Sequence, residues 1–505
     1  MMLRLMAPGE MTVGGIAMDK DMLRAFYAYR HYDLAWNGSG GLGDKAAVVY
    51  AVLASADEEG LEPADYHVNE IARLANATTD VECLDRDMLL SDGLIHYAAD
   101  IAGGRLSSKQ TDERFADSQS LGLPQYIAAG AALDPDRLRT FLAELAPAMP
   151  EYAAVKAMLA RARRLADSGG WLVLPDGGAI RPGMHDPAVA ALRQRLIAEG
   201  WIAAGAKPPA KGSEDLYDPT LSHAVAAFQS EHAIKPDGVL GKDTRAALDV
   251  PADQRAQQAA VNLERLRWSD VPGAGRAVQV NLAAYSLSVF QDGAPVLTMP
   301  VVVGTPENPT PMIQTRITTV VLNPNWTLPP KVIKEMLPRI REDADYLESK
   351  GISRHEREDG KVRLVQPPGP GNPLGRYKFI MPNDQDIYLH DSPDSAKFRY
   401  ALRAYSHGCI RLSNPAGLAA LLLDDRMASM PDGLDALVHT GETRHIALSR
   451  PVPIALVYRT AWLDGSGHLV IGQDDYGRDA RLWKALHKPR TTAPRKSPVR
   501  TAMAG

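Results

Sequence analysis

Apolar residues recur at helical spacing over the first third of the chain and change to strand-like alternation after residue 277. Between residues 20 and 180 the sequence reads as Ala-, Leu- and Asp-rich amphipathic helices, with clear examples over 85–101 and 135–145. The Pro63-Ala64 and Pro135-Asp136 pairs stand where helix starts are expected. No catalytic constellation is visible there, and the region predicts an α-helical N-terminal scaffold domain.

Residues 181–252 form a smaller unit of three helices. Pro187 opens the first, with Val189, Leu192 and Leu196 on one face, and Pro219 opens the second, with Val225 and Phe228 inward. Then Asp237-Gly238-Val239-Leu240-Gly241-Lys242-Asp243-Thr244 leads into a third, where Asp243 or Thr244 is expected as the cap. Phe228-Gln229 followed by this D-G-x-x-G-x-x-T run resembles the peptidoglycan-binding-domain-1 module.

From residue 277 the period is two: Val278, Val280 and Leu282, then Leu287 and Val289, with a turn at Gln291-Asp292-Gly293. Apolar runs at 296–303 and 316–322 continue the strands, and strand character returns at Ile387-Tyr388-Leu389-His390. The intervening stretch, Pro-rich at 323–330 and then charged and helical to 350, is too long for a plain loop and predicts an inserted lid subdomain over 325–372. The expected boundaries are 20–180, 181–252 and 275–445, then a C-terminal β extension over 446–482 and a disordered basic tail over 486–505.

Composition changes this picture little. A chain of 505 residues suits about two to four domains, and a net charge of -5 gives no reason to expect a nucleic-acid partner. No uninterrupted apolar run approaches the roughly 18 residues of a membrane span. The two cysteines, Cys83 and Cys409, provide no disulfide framework, and Cys83 reads as an inert thiol in a helix. Residues 1–20 do not read as a secretory leader, because Pro8, Gly9 and Glu10 interrupt them.

The chemistry concentrates in one place. His390 is followed, after fifteen residues, by Ser406-His407-Gly408-Cys409-Ile410-Arg411-Leu412-Ser413-Asn414. A thiol is the strongest side-chain nucleophile near neutral pH once its proton is removed, and a strand-end histidine is a suitable base. Gly408 leaves room for an incoming carbonyl, and the Gly408 and Cys409 amides are candidate oxyanion donors. Asn414-Pro415 reads as an N-cap and first helical residue. His390, His407 and Cys409 as zinc ligands is the competing reading. Their spacing suits it poorly and no CxxC or HExxH accompanies them, so neither metal nor cofactor is expected.

This pattern, a histidine and then [S/T]-H-G-C-x-R-x-x-N, resembles the catalytic motif of the YkuD-type L,D-transpeptidases. The runs 323–329 and 372–379, with Pro382-Asn383, resemble segments of the large multi-domain branch of that family. The resemblance implies a multi-domain α+β chain: helical scaffold, small peptidoglycan-binding module, and a mainly-β catalytic domain with a lid. It also implies Cys409 as nucleophile, His390 as general base and proton carrier, and Ser406, His407 and Gly408 as oxyanion or loop-shaping residues. Arg411 and Asn414 would order the loop or meet substrate, and Trp326 and Tyr388 would line the cleft. The implied partners are peptidoglycan tetrapeptide donors and stem acceptors, joined in a 3→3 cross-link with release of D-alanine, with carbapenem-type β-lactams as inhibitors and a periplasmic or envelope location. The same acyl-enzyme would serve a carboxypeptidase, an endopeptidase or a wall-protein anchoring enzyme; a non-catalytic wall-binding protein is the remaining alternative.

Overall fold

The computed structural model describes residues 1–36, 42–111, 113, 122–171, 173–206, 211–268, 273–356, 362–429, 433–488 and 490. The N-terminal region packs around α1 (Asp80–Gly103), longer at both ends than its apolar pattern indicates; at its N-terminal end Thr79 and Glu82 form a reciprocal capping box. Met88, Leu90, Leu94 and Ile95 of α1 sit in one core with Phe26, Trp36 and Val49. Helix α2 (Pro135–Ala143) starts at its expected proline, capped by Asp134, and α3 (Pro150–Asp167) follows.

The small module contains α4 (Ala188–Ala198), α5 (Pro219–Glu231) and α6 (Lys242–Leu248). Val189, Leu192, Leu196, Val225 and Phe228 meet in its core, as their spacing predicts. The third helix starts earlier than expected, and its N-cap is Gly241. Asp243 and Thr244 therefore lie inside its first turn. The buried Thr244 hydroxyl instead accepts from Gln229 Nε2 at 3.0 Å, and Gln229 Oε1 accepts the Gly238 amide at 2.8 Å. Gly238 has φ +65°, and a side chain there would collide with Ser222, so the glycine-rich motif encodes this loop.

Helix α7 (Ala252–Arg267) joins the parts. Its Arg265 pairs with the buried Glu113 at 2.8 Å, and Asn262 Oδ1 accepts the Thr460 amide at 2.9 Å. Its apolar face shares a core with Tyr152, Val155 and Leu159 of α3.

The large sheet begins with β1 (Arg276–Asn281), β2 (Ser286–Gln291), β3 (Ala294–Gly304) and β4 (Ile313–Leu322). A separate small sheet follows, made by β5 (Trp326–Thr327), β6 (Ser353–Glu356) and β7 (Val362–Gln366) in the order β5-β7-β6. With α8 (Pro330–Glu342) these strands enclose their own core of Leu328, Leu347, Ile352 and Leu364, on which Val332, Ile333, Met336 and Ile340 of α8 rest. The chain then returns through β8 (Tyr377–Ile380), β9 (Leu389–His390), β10 (Ala404–Ser406), β11 (Ile410–Leu412) and β12 (Arg444–Val457).

The order across the large sheet is β10-β3-β11-β9-β8-β4-β12-β1-β2, and β2 also pairs with β3, so the sheet closes on itself. Strand β12 was expected to open an appended extension. It instead runs inside the sheet, antiparallel to β4 (Ile446 opposite Val320) and parallel to β1 (Ile454 opposite Val278). Alternation identifies a strand without naming its neighbours. The extension is not all β either, for it ends in helix Arg478–Leu486. Leu486 and Arg490, placed in the expected disordered tail, are ordered: Leu486 is buried and Arg490 pairs with Asp100. Residues 491–505 lie outside the described residues.

Candidate active site

Three neighbouring strands build the site. Strand β8 pairs with β9 antiparallel, Lys378 opposite His390 and Phe379 opposite Leu389. Strand β9 pairs with β11 in parallel, Leu389 opposite Ile410 and His390 opposite Arg411. Phe379, Leu389, Ile410 and Leu412 face the core. Side chains alternate along a strand, so Lys378, Tyr388, His390, Cys409 and Arg411 share the other face. The nucleophile and base expected from the sequence therefore stand on one surface, on adjacent strands.

His390 is buried, and its Nδ1 lies 2.6 Å from the Asp391 carbonyl. A carbonyl only accepts, so Nδ1 carries the proton of the neutral ring and Nε2 keeps its lone pair. Burial, then Arg411, then Lys378 push the imidazole pKa down to about 3, so the ring is neutral at physiological pH.

Cys409 is half-buried and unpaired with Cys83. Burial pushes its thiol up, while hydrogen bonds from the Tyr388 amide and hydroxyl and the charges of Lys378 and Arg411 pull it down. The sulfur lies 3.9 Å from the Asp386 carbonyl. The Tyr388 hydroxyl also accepts from Trp326 of the small sheet, and Lys378 Nζ lies 3.8 Å from the Tyr388 ring centroid. Trp326 and Tyr388, expected in the cleft, thus meet beside the thiol.

The loop before Cys409 is tied from several directions. Ser406 Oγ accepts the Gly408 amide at 3.1 Å and donates to the Cys409 carbonyl at 2.5 Å. Gly408 has φ +118°, a region open only to glycine. The expected oxyanion role of the Gly408 amide needs correction, because its hydrogen is already engaged by Ser406. The Cys409 amide finds no acceptor among the described residues. His407 is exposed, its Nε2 3.0 Å from Glu335 of α8. Arg411 lies near Asp394, but its buried Nε has no hydrogen-bond partner among the described residues. Asn414 caps helix Pro415–Leu422 by accepting the Gly417 amide at 3.0 Å, which assigns it to the loop's exit.

Residues 275–427 match the family model of the YkuD L,D-transpeptidase catalytic domain. This region is a YkuD-type L,D-transpeptidase domain. Residues 21–159 match a scaffold domain and 185–248 a "Putative peptidoglycan binding domain". A "Putative L,D-transpeptidase" of Haemophilus influenzae is 30% identical over 243 residues, 45% of this chain and 49% of that protein; the match thus spans about half of the relative. Among solved structures, an L,D-transpeptidase of Xylanimonas cellulosilytica is 18% identical over 56% of this chain and 98% of its own, with a TM-score of 0.19. L,D-transpeptidase 3 of Mycobacterium tuberculosis with a faropenem-derived adduct is 15% identical over 36% of this chain and 60% of its own, with a TM-score of 0.20. The E. faecium L,D-transpeptidase catalytic domain acylated by ertapenem is 14% identical over 36% of this chain and 97% of its own, with a TM-score of 0.18.

The L,D-transpeptidase motif does not contain every residue that shapes this site. The fully buried Thr310 bonds the Gly304 amide at 2.9 Å and the Gly408 carbonyl at 2.7 Å, bracing the cysteine loop from a distant segment. Tyr476 donates to the Gly304 carbonyl at 2.7 Å. Lys378 was legible only as the polar residue between Tyr377 and Phe379, which assigns it a face and no task.

Proposed function

We propose that the protein is a peptidoglycan L,D-transpeptidase that forms 3→3 cross-links through a Cys409 thioester. The observation that carries this reading is the shared face of the adjacent strands β9 and β11, which carries a neutral, lone-pair-bearing His390 and, at the start of β11, a half-buried thiol. Cys409 Sγ attacks the carbonyl of the L-centre that precedes the terminal D-alanine of a tetrapeptide stem, and His390 Nε2 takes the thiol proton. The Cys409 amide meets the developing oxyanion. Collapse breaks the peptide bond, and His390 returns its proton to the departing D-alanine amine. An amine of a neighbouring stem then attacks the thioester, forming a new peptide bond and freeing the thiol.

The Asp391 carbonyl fits this sequence, since it holds Nδ1–H and leaves Nε2 as the working atom. The adjoining peptidoglycan-binding-type module and the small sheet with α8 suit a polymeric substrate, which supports action in the cell envelope. Acylation of Cys409 by carbapenem-type β-lactams is part of the same reading, because they present a strained carbonyl to the same thiol.

Incubation with defined tetrapeptide muropeptides tests the proposal. Free D-alanine, a 3→3 dimer and a trapped adduct on Cys409 are expected, and all are lost in Cys409→Ala. Tripeptide without dimer would reassign the acceptor to water. An unchanged product yield from Cys409→Ala would overturn the mechanism.

A further inference from the structure

Strand β8 brings a lysine to the thiol. Lys378 stands directly opposite His390 in register, and the alternation that buries Tyr377 and Phe379 turns it toward the Cys409 face. Its ammonium rests over the Tyr388 ring, 3.8 Å from the centroid, and the Tyr388 hydroxyl hydrogen-bonds the sulfur. Among the described residues no carboxylate lies within ion-pair distance of Lys378 Nζ. A half-buried ammonium without a salt bridge is costly to keep, and neither acyl transfer nor the fold of β8 calls for one.

We infer that Lys378 is a positioning residue that holds a positive charge against the Tyr388–Cys409 pair and thereby sets the pH at which the thiolate forms. This deepens the reading of Cys409 as nucleophile and rests on it. His390 is neutral at rest and supplies no charge to a thiolate. The groups that face or flank the sulfur are Tyr388 and His390 on β9, Asp386 before it, Arg411 on β11 with Asp394 behind it, and Lys378 on β8. Arg411 is offset by Asp394 and Lys378 in part by Asp386, and of the two cations Lys378 acts the more strongly on the thiol. Burial holds its own pKa below the ordinary lysine value, while the thiolate and Asp386 oppose that shift.

The test is the pH dependence of Cys409 alkylation by iodoacetamide, read by mass spectrometry on the Cys409 peptide of the full-length protein. In Lys378→Met the alkylation midpoint moves up by about one pH unit, the lower end of what a removed neighbouring charge does. Lys378→Arg keeps the native midpoint. Lys378→Gln provides a second neutral side chain should the methionine variant fail to fold. A native midpoint in either folded neutral variant, with or without a lower melting temperature, would overturn the inference. The readout needs no peptidoglycan, so a protein that fails to release D-alanine would refute the proposed function and leave this result standing.

Discussion

Ser406 and Cys409 are joined by a hydrogen bond in which the serine hydroxyl donates to the cysteine carbonyl at 2.5 Å, while the same oxygen accepts the Gly408 amide. One buried hydroxyl therefore closes the turn that aims the thiol. Ser406→Ala leaves a buried amide unmatched, and we expect a loss of about 1–3 kcal/mol in the stability of this domain. Alkylation of Cys409 should slow as well. Calorimetry together with iodoacetamide kinetics checks both, and native values in each would deny the hydroxyl this role.

Gly408 permits a similar argument from backbone geometry. At φ +118° an L-residue is strained by roughly 1–3 kcal/mol, and a Cβ would stand 3.3 Å from Ile387 Cδ1. Gly408→Ala should retain a folded scaffold and module but lose most acylation by a carbapenem, measured as the intact-mass shift. Full acylation would mean that the loop relaxes at no cost.

The pKa of His390 near 3, against an ordinary value near 6.5, has a consequence for stability. The folded state binds fewer protons than the unfolded chain between these values. The contribution is complete above about pH 6.5 and is lost as the pH falls toward 3. His390→Asn should therefore show a shallower fall in melting temperature from pH 7 to pH 4 than the native protein. Parallel curves would contradict the buried, neutral imidazole.

Glu335 of α8 and His407 are each about half exposed, with Nε2 and Oε2 3.0 Å apart. Such a pair contributes under about 1 kcal/mol. Glu335→Ala should accordingly leave the melting temperature near native. A large drop, read by differential scanning fluorimetry, would show that α8 depends on this contact more than on its apolar stripe.

Part of this site is legible in the sequence. The Asn414-Pro415 helix start and the inward faces of the three-helix unit are local signals, and the structure places them accordingly. What escaped was contributed from afar. Thr310 reaches the cysteine loop, and Tyr476 the Gly304 carbonyl next to it in the same network, through contacts that no short motif spans. The Gly408 amide differs from the sequence expectation for a related reason, since its bond to Ser406 depends on the loop's three-dimensional path. Asp243 and Thr244 failed as caps because the helix begins one residue after Gly241, and side-chain type alone leaves such boundaries open.

Strand β12 has a bearing on how the polypeptide is made. Until residues 444–457 have left the ribosome, the flanks of β1 and β4 that will hold them display open backbone groups. A nascent or prematurely ended chain stopping before residue 444 carries two unmatched ribbons, each able to recruit a ribbon from another molecule. Its window for mispairing opens once β1 has emerged and closes only when this late segment threads between its elders.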